Sequence, residues 1–193
     1  MEKKLSCIDC AVKHCDKMDK KFPDFCLTKN MDKEVFDRAM AHYQEEENKK
    51  VMIGAAEVEC EHYCKYTRVE EIMAFAEKIG AKKIGIATCV GLLSESRTLA
   101  SILRKHGFEV YGAACKVGTV PKTDVGIPEK CNEIGINMCN PILQAELLNE
   151  AQTDLNVIMG LCVGHDSLFI KYSNALVTSG VTKDRVLGHN PVA

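Results

Sequence analysis

The sequence predicts an α/β protein: a small, mostly parallel, Rossmann-like sheet with flanking helices, preceded by a helical, cysteine-rich N-terminal segment. Two observations carry this. A short apolar, β-branched run leading into a cysteine, with glycine two or three residues later, occurs three times: IGIATCVG (Ile84 to Gly91), VYGAACKVG (Val110 to Gly118) and VIMGLCVG (Val157 to Gly164). Each reads as a buried strand ending on a thiol. Between these runs lie amphipathic stretches with helix start and stop signals, the alternation expected of βαβ units. The expected division is a cysteine-rich helical segment over 1–64 and the α/β domain over 65–193.

In chain order, Cys7, Cys10, Cys15 and Cys26 come first, at C-x2-C-x4-C-x10-C spacing. A pair two residues apart can chelate one ion or two irons of a cluster, and the longer spacers can wrap round it. The spacing matches neither the bacterial ferredoxin run nor the usual zinc ribbon, so iron–sulfur and zinc both stay open. From Asn30 to about Glu61 the pattern is helical, with Val35, Phe36, Ala39 and Met40, then Val51, Met52, Ala55 and Val58 at helical spacing and a break within Gln44 to Lys50. Cys60 and Cys64 share a face if that helix continues, with His62 beside them. Thr67 to Glu70 is a capping box for a helix that turns Val69, Ile72, Met73, Ala76 and Ile79 inward and stops at Gly80.

The sheet follows. A strand over Lys83 to Thr88 delivers Cys89, a helix from about Ser94 to His106 ends before Gly107, and a strand over Phe108 to Ala114 delivers Cys115. The stretch from Gly118 to Met138 is long for a connection, contains Cys131, and is a candidate lid or binding loop. Cys139 directly precedes Asn140-Pro141, a good N-cap and first-turn pair for a helix to about Ala151. A strand over Leu155 to Leu161 delivers Cys162, and Gly164 to Ser167 reads as a turn and cap for a short helix, Leu168 to Tyr172. One or two closing strands are expected in Ala175 to Val186, with a bulge or turn at Gly180.

Eleven cysteines in 193 residues dominate the composition. The count is odd and the chain is long enough to bury a core without staples, so metal or thiol chemistry is favoured over disulfides. Strands about 4.8 Å apart can gather Cys89, Cys115, Cys139 and Cys162 at one sheet edge, where helix N-termini favour thiolate. An iron–sulfur cluster is the expected cofactor there, of the 4Fe-4S type and present twice if the N-terminal cysteines also hold one; zinc is the alternative. His165 and Asp166 are the candidate polar groups beside it, as proton donor or partners to a ligand, or simply as a helix cap. Cys89 with His165 as base has the outline of a nucleophilic pair. Arg97, Lys116 and Lys183-Asp184-Arg185 are candidates for an anionic substrate. CVGLLSES after the first strand lacks both the dinucleotide fingerprint and a P-loop lysine.

A formal net charge of −2 without long single-sign runs gives no footprint for nucleic acid or an anionic membrane. The start, MEKKLSCIDC, has no apolar secretory run, so a cytoplasmic protein is expected, acting with a redox partner protein or a small molecule.

The combination of CIDC with Cys15 and Cys26, TRVEEI, KKIGIATCVGL, CKVG, MCNPILQAELLN, GLCVGHDSLF and KDRVLGHNP resembles a family of cysteine-rich, metal-binding proteins of anaerobic bacteria and archaea. The resemblance spans nearly the whole chain. It implies metal binding, iron–sulfur above all, without an established reaction. The motifs match at Cys7, Cys10, Cys15, Cys26, Cys89, Cys115, Cys139 and Cys162, and at His165, Asp166, Lys183, Asp184, Arg185 and His189. Cys60, Cys64 and Cys131 fall outside them.

Overall fold

A computed structural model describes residues 4–13, 15–17 and 21–193. Residues 1–3 of the start MEKKLSCIDC, and residues 14 and 18–20 of the spacers between the first cysteines, lie outside the described residues. The chain divides into two compact units, Met1–Ile53 and Gly54–Ala193.

In the first unit a single 3-10 turn, Cys7–Asp9, is closed by Ser6 and Asp9, whose carboxylate accepts the Ser6 N–H at 3.0 Å. Cys26 stands at the start of α1 (Leu27–Asn30), and Asp32 caps α2 (Lys33–His42) by accepting the Glu34 N–H at 2.8 Å. The helical spacing read over Val35, Phe36 and Met40 is present on α2, and all three are exposed. The expected break is short, because α3 (Glu46–His62) resumes inside the polar cluster and runs through the division between the units.

The second unit carries the sheet. α4 (Arg68–Lys78) opens on the expected capping box, in which Glu70 Oε2 accepts from both the Thr67 N–H and hydroxyl at 2.7 Å. Ile72 and Ala76 are buried, and Gly80, at φ +74°, ends the helix in the left-handed conformation. β1 (Lys83–Thr88), α5 (Leu93–Lys105), β2 (Glu109–Ala114), α6 (Pro141–Glu150), β3 (Leu155–Met159), α7 (His165–Tyr172) and β4 (Leu176–Val181) follow. The four strands pair parallel throughout in the order β2-β1-β3-β4. The fold is α/β, with helices on both faces of the sheet.

The central strands are buried on both sides, which is why their sequences read as continuous apolar runs rather than alternating ones. Ile84 and Ile86 of β1 pack with Leu99 and Leu103 of α5 and with Ile72 and Ala76 of α4. Ala87, on the opposite pleat, packs with Ala145 and Leu148 of α6 and Phe169 of α7.

Three local departures have physical causes. The connection after β2 is not an open loop: two 3-10 turns, Lys122–Val125 and Glu129–Ile134, lie within a neck closed by an antiparallel bridge between Pro121 and Asn137. The helix expected from Leu168 begins three residues earlier, at His165, because Gly164, at φ +84°, completes the turn alone. One closing strand forms, and its register against β3 skips Gly180, the expected bulge.

Candidate metal centre

Order β2-β1-β3-β4 means that the chain leaves β1 in one direction for β2 and later places β3 on β1's other side. The carboxyl ends of β1 and β3 therefore flank the point where the connections diverge, the usual ligand crevice of an open α/β sheet. Cys89 follows β1 directly, and Cys162 lies three residues past β3.

Cys115 follows β2, its N–H donating to Thr88 O at 2.8 Å; Cys139 is fixed because the next residue, Asn140, donates its N–H to Cys115 O at 2.7 Å. Asn140 also caps α6 by accepting the Leu143 N–H at 3.1 Å. One short helix start thus ties the Cys139 segment to the end of β2.

These anchors bring three thiols into mutual reach. Cys115 is buried, and its thiol interacts electrostatically with both Cys89 and Cys139. Cys89 and Cys139 pack against the same apolar cluster that holds Cys115. Backbone donors address the sulfurs: the Val90 N–H points at Cys115 Sγ at 3.4 Å, and the Gly91 N–H at Cys89. Cations surround the group, with Lys183 on Cys89, and His165 and Lys116 beside Cys139.

The thiols are not equivalent. Hydrogen bonding to Cys139, reinforced by burial, pushes the Cys115 thiol above the ordinary thiol range. That same bond from Cys115, then one from His165, outweighs burial and holds Cys139 down at about 4. Burial pulls Cys89 up, but the Gly91 N–H and the Lys183 ammonium overcome it and leave the thiol below its ordinary range. In the metal-free protein Cys139 is accordingly a thiolate, with Cys115 as the donor.

Two pH effects follow. Iodoacetamide should alkylate Cys139 at a nearly constant rate from about pH 6 to pH 8, where an ordinary thiol speeds up roughly tenfold per unit. Peptide mapping of reduced, metal-free protein reads this, and a rate climbing through pH 8 would contradict the assignment. Between about 4 and the ordinary value of 9.0 the unfolded chain holds two protons on this pair and the folded chain one. The pair's contribution to stability therefore rises with pH across that window and falls above it, where the unfolded chain has lost both protons and the folded chain keeps one.

Cys162 stands at the same edge, but its contact is different: Arg185 Nη2 donates to Cys162 Sγ at 2.9 Å. His165 meets Cys139 rather than Cys89, so the outlined Cys89–His165 pair does not form. Asp166 acts as a cap, its Oδ1 accepting from the Gly164 and Ser167 N–H groups at 2.9 and 2.8 Å. Arg97 is exposed on α5, and Lys116 donates to Asn137 O at 2.5 Å, joining the strand end to the neck of the long connection.

In the first unit Cys7 and Cys15 are exposed and Cys10 and Cys26 half-buried. Among the described residues of both units, Cys89, Cys115 and Cys139 included, no three His, Cys, Asp or Glu side chains stand in the arrangement of a single bound ion. Cys64 lies beyond the end of α3 at φ +56°, so the helical Cys60–Cys64 pair does not form, and His62 stacks instead on Tyr66 at 3.7 Å between ring centroids. Cys131 sits in the second 3-10 turn of the long connection, its carbonyl accepting from Lys122 Nζ.

One positioning residue escaped the sequence reading. Gln144 is wholly buried on α6, and its Nε2 donates to Thr88 O at 3.1 Å and Ala113 O at 2.7 Å, clamping the ends of the two strands that carry Cys89 and Cys115. The available signal was a polar residue within the inward stripe Pro141, Ala145, Leu148.

A family model described as a protein of unknown function (DUF1847) matches residues 26–179. The chain belongs to the DUF1847 family. That span contains Cys26, Cys89, Cys115, Cys139 and Cys162. The DUF1847 chain is also 48% identical over 178 residues to the uncharacterised protein MJ0455 of Methanocaldococcus jannaschii, covering 91% of this chain and 90% of that one. Among solved structures, Dph2 from Pyrococcus horikoshii is similar at 18% identity and a TM-score of 0.32, over 49% of this chain and 22% of that one. The 4Fe-4S cluster in that crystal structure is a property of Dph2. Among the described residues, no helix of the DUF1847 chain is long and apolar enough to cross a membrane.

Proposed function

We propose that this chain is an iron–sulfur protein with two cysteine-bound centres, serving electron transfer or redox chemistry on a small molecule. The inner centre is built on Cys89, Cys115 and Cys139, with Cys162 at the same edge; the outer one uses Cys7, Cys10, Cys15 and Cys26. What supports the reading is the interaction of Cys115, at the end of β2, with Cys89, at the end of β1, and with Cys139, just before α6.

The donor set fits a metal–thiolate group. A bare core cysteine needs no amide aimed at its sulfur and no nearby ammonium, whereas thiolates bound to iron are tuned by both. Such a cluster would supply one-electron exchange. The chain's own groups do the rest: Val90 and Gly91 offer N–H groups to the sulfurs, Lys183 offsets negative charge at Cys89, and His165 lies beside Cys139. Asp166 keeps the backbone that carries His165 in place.

Preparation without oxygen, followed by absorption spectroscopy and iron, sulfide and zinc analysis, tests the proposal. A brown protein containing iron and acid-labile sulfide that bleaches with dithionite is expected. A colourless protein with stoichiometric zinc and no sulfide would replace this reading with a zinc-binding structural, sensing or storage module.

A further inference from the structure

We infer that the apolar stripe of α2 is the interface of a homodimer, in which two copies of this chain pair their α2 helices antiparallel about a two-fold axis.

The stripe follows from the helical period. Val35, Phe36, Ala39, Met40 and Tyr43 recur at helical spacing along α2 and its C-cap, so they share one side of the helix. Leu27 of α1 and Met31 lead into it. A stripe of this kind ordinarily faces a core, yet among the described residues of Met1–Ile53 none is buried. Leu27, Met31, Val35, Phe36, Met40 and Tyr43 are each between 41% and 48% exposed.

The helix has little support of its own. α2 has 10 residues, and an isolated helix shorter than about 12–15 is marginal in water. Its local supports are the Asp32 cap and the exposed Lys33–Asp37 ion pair one turn apart, both small contributions. Covering the stripe is therefore part of folding this segment, and the cover has to be present whenever the chain is. A second copy meets that condition, whereas a protein that binds and leaves does not.

The area agrees with a dimer. At roughly 200 Å² for a large apolar side chain, these six residues offer on the order of 500–600 Å² per copy, the upper end of what a monomer leaves open. Two copies would bury roughly 1,000–1,200 Å² from these residues alone, which reaches the size that a specific interface must clear.

The pattern is also self-complementary. A two-fold axis beside the middle of Lys33–His42 sets Phe36 of one copy opposite Ala39 of the other, large against small, and Val35 opposite Met40. Glu34 falls on the opposite side of the helix, away from this seam.

Sedimentation velocity of the full-length protein tests the inference, with the protein prepared without oxygen and with reductant present so that exposed cysteines do not cross-link. Twice the mass of the chain is expected at micromolar concentration. Phe36→Glu should weaken the dimer by about 100-fold or more, because one substitution removes a central anchor from both copies. Glu34→Gln should leave the dimerisation Kd unchanged. Phe36→Ala should weaken it by about tenfold or more, and Phe36→Ala combined with Ala39→Phe, which exchanges the large and small members of the seam, should recover most of that loss. Circular dichroism checks that each variant is folded; should Phe36→Glu fail to fold, the comparison of Phe36→Ala with the double variant carries the test. A monomeric wild-type protein would mean that the chain covers the stripe itself and overturns the inference. A folded Phe36→Glu protein with the wild-type Kd overturns it too, and a double variant as weak as Phe36→Ala overturns the antiparallel pairing.

Discussion

On the proposed iron–sulfur reading, replacing Cys115 by Ser is expected to abolish the inner centre and leave the N-terminal one in place. Cys115 is the sulfur that touches both of the others, and its carbonyl holds the Asn140 N–H that fixes the Cys139 segment. The backbone bonds survive the substitution, so the fold should persist while the thiolate is lost. Changing a group that only supports a metal ligand typically costs 10–100-fold in affinity, roughly, so loss of the central ligand should cost at least about 100-fold. Iron and sulfide analysis of oxygen-free protein, alongside circular dichroism, reads the result. Unchanged metal content in a folded Cys115→Ser protein would show that the strand-end cysteines are core residues alone.

Gly85→Ala should destabilise the sheet more than any cap or surface change. Gly85 sits in the middle of β1, opposite Tyr111 of β2 and Asn156 of β3. A Cβ there would lie 2.0 Å from Asn156 Oδ1 and 2.9 Å from Leu148 Cδ1, both on wholly buried residues. Asn156 cannot step aside freely: its Oδ1 accepts from the Thr153 hydroxyl at 2.8 Å, and its Nδ2 donates to the Ser173 hydroxyl at 2.8 Å. Overpacking combined with a broken buried hydrogen bond gives a loss of about 3–5 kcal/mol, which for a domain of this size lowers Tm by roughly 10 °C or more. Thermal unfolding of the metal-free protein measures it without interference from the centre, and a shift of under about 2 °C would mean that Asn156 repacks at little cost.

The two substitutions separate what the strand-end cysteines do from what carries them. Gly85 lies on the same pleat as Ala87, the face that α6 and α7 cover and against which all three contacting cysteines pack. Its effect should therefore reach the centre through the placement of α6, whose Gln144 clamps β1 to β2.

Sequence alone determined the elements and their order, because the signals are local. Continuous β-branched runs mark strands buried on both faces, Thr67 and Glu70 close a capping box within three residues, and Asn140-Pro141 starts a helix wherever the chain goes. It also put a thiol at the end of each of the first three strands. Tertiary structure decided which thiols meet. The order β2-β1-β3-β4, the bond from Asn140 to Cys115, and the return of the segment after β4 join residues far apart in the chain, and no local pattern encodes those pairings. Hence His165 reaches Cys139 instead of Cys89, and Cys162, which shares its sequence motif with the others, meets Arg185 because the tail folds back along the edge of β3.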